Sequence, residues 1–182
     1  MRLRFLSSNG QKVAEVRTIL SPAGIEVVPV ERKLDEIQTH DIEQLVRDKC
    51  IRAFRLIGRP VFVEHTALHI DALNGFPGGL TQLFWDTVGP ERVAALFGRD
   101  ASPAVARTCI GYCDGCRIHH FEGTIDGLIA ETPRGDRAGW DCIFIPRGER
   151  RTFAEMQDEK NKISMRRRAL DSFAAFLKSE AA

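Results

Sequence analysis

Two periods of apolar residues take turns along this chain, one alternating every second position and one recurring at helical spacing. RLRFLSS predicts a first strand, and SSNGQKVAEVRTILSPAG predicts a turn and a helix. Ser8 or Asn9 caps that helix, Val13, Val16, Ile19 and Leu20 form its apolar face, and Gly24 stops it. IEVVPV is a second strand, and DIEQLVRDKCIRAFRLIG a long helix with Ile42, Leu45, Val46, Cys50, Ala53 and Ile57 inward. Pro60 opens a third strand, VFVEHTALHIDAL, in which Glu64, His65 and Thr66 interrupt the apolar run. NGFPGG reads as a turn, LTQLFWDTVG and PERVAALFG as short helices. VARTCIGYCDGCRIHHFEGTI alternates like a hairpin about a two-residue Asp114-Gly115 turn. GWDCIFIP is a further strand, and ISMRRRALDSFAAFLKS a closing amphipathic helix with Ile163, Leu170, Phe173 and Leu177 inward. Strand and helix alternate first and a hairpin follows, which predicts an α/β protein with a mixed sheet.

Composition narrows this picture little. The 182 residues are 43% hydrophobic and 28% charged, suited to one compact unit of residues 1–182. A formal net charge of +1 excludes a general attraction for nucleic acid, so an anion site must be local. No stretch has the length of a membrane span or signal-peptide core, and five cysteines favour reduced thiols and a cytoplasmic location.

Three stretches carry candidate chemistry. In SSNGQK a strand-to-helix turn gathers free backbone N–H groups, two hydroxyls and Lys12, which makes either an anion site or a plain helix cap beside an exposed lysine. CDGC, with His119 and His120 behind it, offers two thiolates and an imidazole, but adjacent side chains of a hairpin alternate faces and no second CxxC exists. It reads as a hairpin with incidental thiols. MRRRAL places three arginines at the start of a helix, where their charge is unfavourable unless an anionic partner faces them.

Taken in order, four segments resemble the inosine triphosphate pyrophosphatase family, hydrolases of non-standard purine nucleotides. They are FLSSNGQKVAEV, VEHTALHIDALNGFPG, GTIDGLIAETPRGDRAGWDCIFIPRG and TFAEMQDEKNKISMRRRAL. The resemblance covers nearly the whole chain. It implies an elongated two-lobed α/β fold with a long central mixed sheet flanked by helices, usually dimeric, with a purine nucleoside triphosphate such as ITP, dITP or XTP in the cleft between the lobes. It also implies Mg2+ directing water at the α-phosphate, releasing monophosphate and pyrophosphate. On matching positions, Ser8, Asn9, Lys12, Lys49 and Lys160 would hold the triphosphate and Glu36 would be a metal ligand. Trp140, Asp141, Ser164 and Arg166 would surround the base, Arg166 donating to the 6-keto oxygen.

The departures from the family pattern concern the chemistry. His65 stands where the family has a catalytic, metal-binding aspartate, and Met165 where it has a base-contacting histidine. Ala138 replaces a base-stacking aromatic and Cys142 a proline. An imidazole is a poor ligand for Mg2+, which wants oxygens, so the change at 65 weakens metal capture and removes the group that would activate water. A neutral imidazole, unlike a carboxylate, does not repel a triphosphate.

The favoured expectation is a nucleotide-binding sensor with little or no hydrolysis, working with an effector protein, antiviral or stress signalling being one setting. The alternative is an active pyrophosphatase in which Glu64, Asp71 or Asp141 supplies an oxygen ligand and His65 is the general base. A scaffold that has lost its ligand is the third reading.

Overall fold

The structure, a computed structural model, describes residues 1–136 and 139–180. Its elements follow the chain as β1 (Arg2–Leu6), α1 (Gly10–Leu20), β2 (Glu26–Val30), α2 (Ile42–Ile57), β3 (Val61–Ile70), β4 (Pro77–Gly78), α3 (Thr81–Val88), α4 (Pro90–Phe97), β5 (Pro103–Cys113), β6 (Ile118–Ile129), β7 (Phe144–Pro146), α5 (Phe153–Met156) and α6 (Met165–Glu180). The strands form one seven-stranded mixed sheet in the order β2-β1-β3-β5-β6-β7, with β4 on the edge of β3. β1 runs parallel to β2 and β3; the other pairings are antiparallel.

The alternation along β3 decides what each face of the sheet meets. Phe62 joins Phe5 of β1, Val16 of α1 and Phe173 of α6 in one core cluster, while Val61, Val63 and Ala67 pack with Leu45, Val46 and Cys50 of α2 in another. Phe62 is fully buried, its ring 4.7 Å from that of Phe5 and 5.2 Å from that of Phe173. A third cluster at the far end of the sheet joins Leu68 and Ile70 to Val93, Phe144 and Phe153, with Trp85 and Trp140 partly buried against it. Gly123 admits the start of α6: a Cβ there would collide with the Met165 carbonyl.

Most predicted elements are present, with shifts that have local causes. The third strand ends at Ile70 rather than running to Leu73, because Asp71–Leu73 turns into a 3-10 helix closed by the left-handed Asn74. The hairpin connection spans four residues, not two: the Asp114 carboxylate accepts from the Cys116 and Arg117 amides at 2.7 Å each, widening the turn. Ile163 packs inward just ahead of α6, in the segment that follows a short 3-10 helix over Gln157–Lys162.

Pairing along β3 leaves a gap. β1 pairs with it only as far as Phe62 and β4 only from Leu68, while β5 covers the whole opposite edge. Residues 63–67 therefore have no strand on one side, and a cleft opens there, beyond the carboxyl end of β1. Such a place, where neighbouring connections diverge, is the usual ligand crevice of an open α/β sheet.

The aromatic seam behind this cleft sets the stability of its floor. Phe62→Ala is expected to lower the unfolding free energy by about 3–5 kcal/mol in urea denaturation, since the cavity would open between two other buried rings.

Candidate functional site

The open edge of β3 faces a cavity of about 1100 Å3, large enough for a nucleotide. Its first wall is the β1–α1 turn. There Asn9 caps α1, its side-chain oxygen accepting from the Lys12 amide at 3.1 Å, and this aims the Lys12 side chain over β3. The Lys12 ammonium lies 3.6 Å from Glu64.

Alternation on β3 sends Glu64 and Thr66 toward α6 and His65 toward α2. On the α6 side Arg166 donates from Nε and Nη2 to the two oxygens of Glu64, at 3.3 and 3.2 Å. Its Nη1 donates to Glu15 of α1, and Lys160 bridges Glu15 at 3.0 Å to Asp141 at 2.5 Å. Glu15, Glu64, Lys160 and Arg166 are all buried. Burial alone would raise the pKa of Glu64, but the charges of Arg166 and Lys12 and hydrogen bonds from Thr66 and Arg166 hold it far below the usual carboxylate range. Glu15 is lowered in the same way, by Arg166 and Lys160 against its own desolvation.

On the α2 side Lys49 donates to Glu36 at 2.5 Å and to the Glu64 carbonyl at 3.3 Å, satisfying an acceptor that the missing strand leaves open. His65 Nδ1 lies 3.5 Å from the other Glu36 oxygen, and its buried Nε2 has no hydrogen-bond partner among the described residues. Burial lowers the pKa of His65 although Glu36 opposes it, so the ring is neutral near pH 7. Burial likewise opposes ionisation of Glu36, but the hydrogen bond from His65 and the Lys49 ammonium bring it to about 2. A neutral ring beside a carboxylate carries its proton on Nδ1, which leaves the buried Nε2 as an acceptor with no partner among the described residues.

The cavity wall gathers Ser8, Asn9, Lys12, Glu36, Lys49, Glu64, His65, Trp140, Asp141, Lys160, Met165 and Arg166. Ser164 is not part of that wall; its hydroxyl accepts from the Arg167 amide at 3.2 Å and caps α6. Trp140 stands edge-on to Phe144, ring centres 5.6 Å apart, so its ring is fixed by the far core. Ala138 lies outside the described residues. The arginines of α6 meet internal partners: Arg166 the two glutamates, Arg167 Asp171 at 2.8 Å, and Arg168 the Thr124 carbonyl at 2.7 Å. In the CDGC hairpin Cys113 is buried, Cys116 exposed, and Asp114 bonded to His119 at 2.8 Å.

Sequence reasoning missed Glu15, Trp85, Arg32 and Lys33 in this wall. Glu15 was detectable: it lies within the buried stripe of α1, beside Val16 and one turn before Ile19, where an unpaired charge is untenable. Arg32 and Lys33 sit in a segment without periodicity, and nothing local marks them.

The Mg2+ implied by the family resemblance asks for a near-octahedral set of oxygens. Glu36 has its oxygens engaged by Lys49 and His65, Glu64 is committed to Arg166, and position 65 offers nitrogen. Among the described residues no group of three His, Cys, Asp or Glu side chains is placed to hold a metal. The carboxylates around position 65 are paired with cations and that position adds no oxygen, so this wall does not offer the aspartate-based Mg2+ site that the resemblance implies.

Sheet order, open-edged central strand and charged cleft define an α/β protein built around a crevice lined by matched cations and carboxylates. The sequence profile of the Ham1 family matches residues 3–176, and the chain belongs to that family. It is 40% identical to a dITP/XTP pyrophosphatase of Methanopyrus kandleri, across 100% of this chain and 99% of that one. It is 38% identical to an inosine triphosphate pyrophosphatase of Yarrowia lipolytica, across 100% and 98%. Among solved structures, a HAM1 protein from Coxiella burnetii superposes with a TM-score of 0.82 at 24% identity, covering 98% of this chain and 99% of that one. No helix among the described residues is long and apolar enough to cross a membrane.

Glu15 and Glu64 also predict the acid behaviour of the fold. Their folded pKa values lie below the ordinary 4.5, so the folded state binds fewer protons; their contribution is complete above about pH 4.5 and is lost progressively as pH falls below it. Urea midpoints measured from pH 7 down to pH 3 should fall. Glu64→Gln should be less stable at pH 7 and show a shallower decline.

Proposed function

We propose that the cleft binds a deaminated purine nucleoside triphosphate of the ITP, dITP or XTP kind and hydrolyses it slowly or not at all. The triphosphate lies along the β1–α1 turn and the open edge of β3, against Ser8, Asn9, Lys12 and Lys49. The base lies toward Trp140, Asp141 and Arg166. Arg166 reaches a 6-keto oxygen by releasing one of its carboxylate contacts, which a hypoxanthine or xanthine ring repays with an acceptor and an adenine does not.

One observation carries this reading. At the middle of the open edge, the position to which the family resemblance gives the water-directing, metal-holding aspartate is a neutral imidazole turned onto Glu36, and the neighbouring carboxylates Glu36 and Glu64 are both paired with cations. The similarity to a dITP/XTP pyrophosphatase and an inosine triphosphate pyrophosphatase supports the nucleotide class. A protein that holds such a nucleotide intact acts by presenting its occupied state to an effector partner.

A second reading has its own observation. Nδ1 on a carboxylate with an unpartnered Nε2 is the arrangement of an oriented general base, and in that case the chain is a pyrophosphatase that uses His65 at the position to which the family resemblance gives an aspartate.

Substitution at 65 separates the two. On the binding reading, calorimetry detects ITP or dITP binding by the natural chain, and His65→Asp with Mg2+ raises pyrophosphate release by about 10²-fold or more. On the general-base reading the natural chain already turns over, and His65→Asp and His65→Gln both abolish it. Adenosine triphosphate is expected to bind at least about ten-fold more weakly than ITP in either case.

A further inference from the structure

The charges of the cleft cancel. Lys12, Lys49, Lys160 and Arg166 face Glu15, Glu36, Glu64 and Asp141, each cation ion-paired to at least one of these carboxylates. A triphosphate entering this space meets cations that are already neutralised. Two further cations line the same cavity, Arg32 and Lys33, and both are exposed with no ion-pair partner among the described residues. Asp35 and Asp86 also line the mouth, so the wall as a whole has no excess positive charge; unlike the four inner cations, Arg32 and Lys33 are exposed and without an ion-pair partner among the described residues.

The segment that carries them is held in place. Between β2 and α2 the chain has no regular structure from Glu31 to Thr39, yet Leu34 and Ile37 pack against the α2-side core and Glu36 is tied to Lys49. Its far end is fixed by the Gly79 amide donating to the His40 carbonyl at 2.9 Å, an approach close enough that a Cβ on Gly79 would meet the Thr39 carbonyl. Anchored on both sides of Glu36, the strap keeps Arg32 and Lys33 beside the Lys49 end of the cleft, where the phosphates belong on the reading above.

We infer that Arg32 and Lys33 form an outer phosphate-recognition site on this strap, contacting the terminal phosphates and distinguishing triphosphates from monophosphates. An inner lysine that turned to a phosphate would leave its carboxylate without a cation; the exposed strap cations supply attraction that is not already spent. The inference rests on the cleft being a nucleoside triphosphate site.

The test is calorimetry of ITP and IMP with the natural chain and with the double variant Arg32→Ala/Lys33→Ala, whose exposed positions leave folding intact, checked by an unchanged melting temperature. The double variant should bind ITP about ten-fold more weakly and IMP within about two-fold of the natural chain. Added salt should weaken ITP binding more for the natural chain than for the variant. Arg32→Lys should restore part of the loss. Equal ITP affinity in both chains, or equal losses for ITP and IMP, would overturn this inference alone. A natural chain that binds neither nucleotide would overturn the reading of the site and this inference with it.

Discussion

A buried guanidinium held between two buried carboxylates is the constraint on which the rest of this molecule depends. Arg166 opens α6, Glu15 lies on α1 and Glu64 on β3, so one planar group joins the three elements that floor the cleft. Removing one partner from such a set leaves an uncompensated charge out of water, at a cost of about 3–5 kcal/mol. Phe62 and Phe173 close the apolar seam behind it, and Lys160 extends the ionic chain to Asp141 at the other wall. The geometry of the pocket is therefore set before any ligand arrives. The same pairing joins Arg166 and Glu64 to each other in the ligand-free cleft.

Much of the architecture was legible because it follows from period. Alternating residues of β1, β3, β5 and β6 and the inward stripes of α1, α2 and α6 each sort onto the face their spacing dictates. The turn after β5 was misjudged because Asp114 bonds two amides with its side chain, a choice of conformation that the Asp-Gly pair does not reveal. In the site, motif positions on β3 and α1 came together as expected from the family resemblance. Two things were hidden. Strand pairing, not sequence, opens the edge at residues 63–67, and only the fold discloses that Arg166 spends its donors on Glu15 and Glu64. Ser164 illustrates the reverse, a polar residue at a motif position whose hydroxyl serves a helix end.

Position 65 joins these observations to function. An acidic residue there would add negative charge to a cleft whose cations are already matched, and would call for a divalent metal to offset it. The imidazole removes that demand. It leaves an interior of matched charges with an unpaired buried nitrogen, while the exposed Arg32 and Lys33 sit at the mouth on a strap pinned by Leu34 and Ile37. Retention of the gripping residues together with a histidine at the motif's acidic position is the physical basis of the proposal that the cleft captures its nucleotide and keeps it whole.

Phosphorus NMR of a stoichiometric complex with ITP, followed for several hours in the presence of Mg2+, tests that claim most directly. Three shifted resonances of one intact bound triphosphate are the predicted outcome. Their replacement by the signals of inosine monophosphate and pyrophosphate, at a rate that catalytic amounts of the protein reproduce, would contradict it.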